Sequence, residues 1–88
     1  MNVVNNNHDI LTIDSFYPAV FLFAKGHTLL NIDKTDSKRM RFVFGNCDEL
    51  KRLLEVFNFA ASDDPESLID ARKFVGAIKS LKEKMYQI

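Results

Sequence analysis

The stretch Phe16-Tyr17-Pro18-Ala19-Val20-Phe21-Leu22-Phe23-Ala24 leaves this chain few ways to fold, because every residue in it except the proline is apolar. No side of it is suited to water. As a strand it would place Pro18 mid-ladder, where a donor is missing. As a helix starting near Ser15 it places Pro18 in the first turn, where amides have no intrahelical partner. The helix is the better reading. Asp14 and Ser15 supply capping side chains, Lys25 falls in the last turn, and Gly26 follows the C-cap. A helix apolar on all sides either sits at the centre of a core or spans a membrane, and a span takes about 20 residues. This one is too short to span. A sheet face, other helices or a second copy must wrap it.

The whole chain has 88 residues, enough for one domain with one modest core. Its 47% hydrophobic content, with eight Phe and no Trp, is that of a globular chain that should fold without a cofactor. Twelve acids balance twelve bases. That removes the simplest argument for a dedicated nucleic-acid or anionic-membrane protein. The balance is not local: residues 1–70 carry seven bases and eleven acids, net −4, while residues 71–88 carry five bases and one acid, net +4. Cys47 is the single cysteine, so no internal disulfide is expected. The N-terminus lacks the basic start and apolar run of a secretion signal, so a reducing, cytoplasmic location is the expectation.

Residues 1–9, with Asn2, Asn5, Asn6 and Asn7 and only Val3 and Val4 as apolar interior, read as a flexible end, and residues 10–88 as a single domain. Ile10-Leu11-Thr12-Ile13 suits a short strand or an extended lead-in. After Gly26, residues 27–33 and 39–44 form a hairpin around Lys34-Thr35-Asp36-Ser37-Lys38. In its second strand Met40, Phe42 and Phe44 share the buried face, and Arg39, Arg41 and Val43 the outer one. In the first strand the alternation is weaker and favours Thr28, Leu30 and Ile32 facing inward.

Asn46 reads as the cap of a second helix, with Leu50, Leu53, Leu54 and Phe57 at i, i+3, i+4, i+7 on its core side. Asp48 with Arg52 and Lys51 with Glu55 are i, i+4 pairs on its solvated side. Val56 and Phe59 add apolar surface beyond that stripe, and Ala60 to Glu66 form the main loop. Asp70 caps a third helix over 70–86, whose stripe is Ala71, Phe74, Ile78, Leu81 and Met85. Arg72, Lys73, Lys79, Lys82 and Lys84 spread over the opposite side, with Val75 and Tyr86 beside them as apolar residues out of place. The expected core includes Phe21, Phe42, Phe44, Leu53, Phe57, Phe74 and Ile78.

Little here reads as chemistry. His8 lies in the asparagine-rich end, His27 sits just past a helix cap, and no motif pairs either with Cys47. A thiol in the first turn of the second helix would be activated by the dipole, but Asp48 and Glu49 oppose that. The acids around Asp33-Asp36 and Asp63-Glu66 lack calcium-loop spacing and are expected to bond their own turn backbones. Gly26, Gly45 and Gly76 lie too far apart for a phosphate loop. No metal, cofactor or small-molecule substrate is indicated.

Several short signals together resemble a known family: Thr12 before an apolar helix, Ala24-Lys25-Gly26-His27 closing it, the strand Arg41-Phe42-Val43-Phe44, and Asp70-Ala71-Arg72-Lys73-Phe74 opening a last helix. Across roughly residues 12–86 the chain resembles a family of small uncharacterised domains of bacteria and their phages or plasmids. That resemblance implies a stand-alone accessory protein and no assigned activity.

The expectation is therefore an α+β domain, a small antiparallel hairpin with room for a third short strand, packed against three helices. The expected function is a non-enzymatic binding module acting through protein contacts, as a homodimer or with a partner, through Phe59, Val75 and Tyr86. The alternative is a nucleic-acid-associated accessory protein using Lys38, Arg39 and Arg41 on the hairpin and Arg72, Lys73, Lys79 and Lys82 on the last helix. No membrane contact is expected.

Overall fold

A computed structural model describes residues 3–6 by backbone, and residues 10–36, 38–61 and 63–87 with their side chains. The chain runs β1 (Val3–Asn6), β2 (Ile10–Ile13), α1 (Phe16–Ala24), β3 (Leu29–Asp33), β4 (Arg41–Gly45), α2 (Asp48–Phe59), a 3₁₀ turn (Pro65–Ser67) and α3 (Ala71–Met85). It is an α+β fold. The sheet order is β1-β2-β4-β3, with every neighbouring pair antiparallel. Strands β2 and β3 therefore run the same way on either side of β4. Helix α1 is the crossover between them, which explains its central place, since such a connection must lie on a sheet face.

The apolar helix is wrapped over its middle but not throughout, since Tyr17 is 57% exposed and Phe16, Phe23 and Ala24 are half-buried. Pro18, Ala19, Val20, Phe21 and Leu22 are all buried, and α1 packs on β2, on α2 and on α3. Coverage thus comes from within the chain. Ser15 is the N-cap residue but its hydroxyl makes no capping bond. At the other end, Gly26 N–H donates to the Phe23 carbonyl at 3.0 Å and His27 N–H to the Leu22 carbonyl at 3.2 Å. That pair of bonds closes the helix in a Schellman motif and holds Gly26 at φ 101°.

The hairpin faces inward through Phe42 and Phe44 as its alternation predicts, but β3 departs from expectation. Leu29 pairs with Phe44 and Ile32 with Phe42, so both inward residues are three apart and a bulge at Leu30 takes up the extra residue. Leu30, expected inward, is 55% exposed. On the far side of β4, Leu11 pairs with Phe44 and Ile13 with Phe42, which makes Ile10–Ile13 a full inner strand. The backbone of Val3–Asn6 then pairs along the outer edge of β2, within a segment that sequence alone marks as a flexible end. Ladder pairing uses amides and carbonyls, so an asparagine run without apolar pattern can still supply an edge.

The two later helices are largely as expected. Cys47, not Asn46, caps α2, its Sγ accepting the Leu50 N–H at 3.4 Å. Leu50, Leu53 and Leu54 are buried, and Phe57 is half-buried with its ring 5.2 Å from that of Phe21. Asp70 caps α3, its Oδ1 accepting from Arg72 N–H at 2.8 Å and Lys73 N–H at 3.2 Å. The core side of α3 is Phe74, Ala77, Ile78, Leu81 and Met85; Ala71 is exposed and Ala77 takes its expected place. Phe74 and Ile78 are half-buried rather than sealed, because α3 lies at the edge of the helical layer.

Candidate functional site

Among the described residues, large apolar side chains left exposed include Tyr17 on α1 and Leu68 after the 3₁₀ turn, and three others, Phe59, Val75 and Tyr86, lie on or at the end of the outer faces of α2 and α3. The buried residues of α3 centre on Ala77 and Leu81. At 100° per residue, the side away from them carries Val75, Lys79, Lys82 and Tyr86 in a line at i, i+4, i+7, i+11. All four are exposed, Val75 by 49% and Tyr86 by 72%. Arg72 stands beside Val75, and the two line a shallow groove with Ala71, Gly76 and Lys79. Lys73 lies towards the other flank. The structure thus joins Val75 and Tyr86 to three of the basic residues expected to act separately.

At the end of this line the helix meets the hairpin. A groove there has Phe42 beneath, half-buried Phe16, Met40 and Met85 in its walls, and exposed Tyr86, Lys38 and Arg39 around it. The Phe16 ring lies 6.1 Å from that of Phe42. Arg39 also reaches Asp14, Nη1 to Oδ2, at 3.4 Å. Methionine and aromatic walls adapt to apolar side chains of varied shape. Sequence reasoning misses this groove because its walls come from α1, the residue before β4 and the end of α3, although the sequence pattern places Met40 and Met85 each on a core side. The end of α3 is held in place by Lys34, whose Nζ donates to the Lys84 and Gln87 carbonyls, each at 2.8 Å.

Helix α2 presents a second line with the same spacing. Asp48, Arg52, Glu55 and Phe59 sit at i, i+4, i+7, i+11 opposite the buried leucines, and all are exposed, Phe59 by 72%. Arg52 is ion-paired with Glu66 of the 3₁₀ turn instead of with Asp48. The line is therefore acidic with an aromatic end. Helix α1 packs against both α2 and α3, so Phe59 is not gathered with Val75 and Tyr86 into one patch. Arg41 is also apart: it faces Asp33 across the sheet and is half-buried.

The chemistry-bearing residues have local structural work. Asp33 accepts from the Thr35 N–H at 2.9 Å and hydroxyl at 2.7 Å. Those bonds, helped by the charge of Arg41, hold its carboxyl below the usual value of 3.8. Asp36 accepts from Lys38 N–H and Asp64 from Glu66 N–H, each at 2.9 Å, so these turn acids bond their own backbones as expected. His27 donates the backbone N–H that closes α1, Cys47 Sγ caps α2, and His8 lies outside the described residues. Among the described residues no cluster of three or more His, Cys, Asp and Glu could hold a metal ion. No helix among them is long and apolar enough to cross a membrane.

No curated protein and no solved structure matches the chain. A family profile does match it, over residues 8–87. The sequence resemblance to an uncharacterised family thus has a definite form, and the chain belongs to the family defined by the domain of unknown function DUF5659.

Proposed function

We propose that this protein is a non-enzymatic binding module whose contact surface is the outer line of α3 and the groove at its end. The carrying observation is that Tyr86, an exposed residue that the core does not use, lines a Met- and Phe-walled groove edged by Lys38 and Arg39, with Val75, likewise exposed, further along the same line of α3. Exposed aromatic and methionine side chains ringed by polar ones are the makings of a protein contact. The occupant is a protein surface with an apolar anchor and nearby acids. A stand-alone accessory role in a bacterium, phage or plasmid fits such a module, as does a reducing cytoplasm for the exposed thiol of Cys47.

A second reading, nucleic-acid association, is favoured by Tyr86 standing beside Lys38 and Arg39. Against it, Glu83 lies on the same outer face of α3, Asp14 already engages Arg39, and of the three aromatic residues lining the groove Tyr86 alone is exposed enough to stack on a base. The test places a photo-crosslinking side chain at Val75 or Tyr86 in the full chain and sequences what is captured. Crosslinks to defined protein segments, lost when Met85 is changed to Asp, support the module. Crosslinks to nucleic acid, together with binding that falls steeply as salt rises, replace it with the second reading. No crosslink from either position refutes both.

A further inference from the structure

We infer that copies of this chain associate head to tail, the outer line of α2 on one copy lying antiparallel against the outer line of α3 on the next. The inference rests on the reading of α3 as a contact face and names a second copy as its occupant. Charge is the first argument. Residues 71–88 carry +4 and the rest of the chain −4; the exposed line of α3 presents Lys79 and Lys82, and that of α2 presents Asp48 and Glu55 with Arg52 neutralised by Glu66. Register is the second. Both lines have the i, i+4, i+7, i+11 spacing, so an antiparallel crossing sets Phe59 on Val75 and Glu55 on Lys79. The one like-charged meeting, Arg52 with Lys82, is relieved because Glu66 already neutralises Arg52. A parallel crossing would set Phe59 on Tyr86 and Glu55 on Lys82 but leave Asp48 on Val75, which offers no donor, whereas the antiparallel one sets Asp48 on Tyr86, whose hydroxyl can donate to the carboxylate.

The same features disfavour a two-fold pair. Two α3 lines laid antiparallel would set Lys79 against Lys82 twice, and two α2 lines would set Asp48 on Phe59 and call on Arg52, already taken by Glu66, to meet Glu55. The complementary faces belong to helices that both pack on α1, so neither can satisfy the other within one copy. Contact is heterologous, and each added copy leaves one face of each kind open. A single helix pair of about three turns is a small interface, so association is weak and depends on concentration.

The test is mass in solution by sedimentation equilibrium, from about 10 μM to about 1 mM, a range that suits a small interface. Wild type is expected to rise above 10.1 kDa with concentration and to fall back when salt is added. Glu55→Lys and Lys79→Glu, both at exposed positions, should each stay monomeric to concentrations at least about tenfold higher. Mixed in equal amounts, the two variants bring opposite charges together at both kinds of contact, the wild-type pairing at one and the reversed pairing at the other, so the mass should again rise with concentration above 10.1 kDa. A wild type that stays at 10.1 kDa throughout overturns the inference, while crosslinks from Val75 or Tyr86 to a different protein would leave the binding reading standing. A mixture as monomeric as its components, or a single variant that associates like wild type, also overturns it.

Discussion

Alanine at Gly26 and alanine at Gly76 should change stability in opposite directions, although the substitution is chemically identical. A methyl group at either position meets no atom within 4 Å, so packing contributes nothing to either effect. What remains is the backbone. Gly26 holds φ at 101°, a region that costs an L-residue roughly 1–2 kcal/mol. Restricting the unfolded chain returns about 0.4–1 kcal/mol of that, leaving a net loss near 1 kcal/mol. Gly76 sits inside α3, where alanine is better than glycine by about 0.8–1 kcal/mol. For a domain this small, 1 kcal/mol moves Tm by about 4–8 °C, so the two variants should separate by roughly 8–16 °C. Urea titration followed by circular dichroism gives the free energies, with unchanged slopes showing that the unfolded states are comparable. A Gly26→Ala variant at least as stable as wild type would refute the reasoning, since the Schellman closure of α1 would then not need a left-handed residue.

The bulge makes a contrast within one hairpin: Phe42→Ala, which opens a cavity in the core, should cost about 3–5 kcal/mol, whereas Leu30→Ser should fall within about 0.5 kcal/mol of wild type. Equal losses in urea midpoint would place Leu30 inside. Lys34→Met removes the cation from the last carbonyls of α3 and should cost about 0.5–1 kcal/mol, with faster amide exchange in the final turn of that helix. Asp33 has a lowered folded-state pKa, so its contribution is present above the ordinary value of 3.8 and is lost as pH falls through the lower folded value. The stability gap between wild type and Asp33→Asn should accordingly narrow in acid, and a gap that stays constant down to pH about 2 would count against the Thr35 bonds as its source.

Part of this was legible from residues alone because it is local. Pro18, the Lys25-Gly26 ending and the unbroken apolar run set α1, and one-sided patterns set β4 and α3, since propensity, capping and periodicity act within a few residues. Asp70 was readable as a cap for the same reason, whereas Cys47 was not, because a thiol ranks low among capping groups and Asn46 beside it ranks high. The exposure of Val75 and Tyr86 followed from helix geometry. Tertiary structure decided the rest. Leu30 faces out because pairing with β4 requires one extra residue there, a fact belonging to register and not to either strand. Which elements wrap α1 depended on its being the crossover between β2 and β3. The groove of Phe16, Met40, Met85 and Tyr86 exists because that crossover brings three distant segments to one end of the domain, and no local pattern encodes such a meeting.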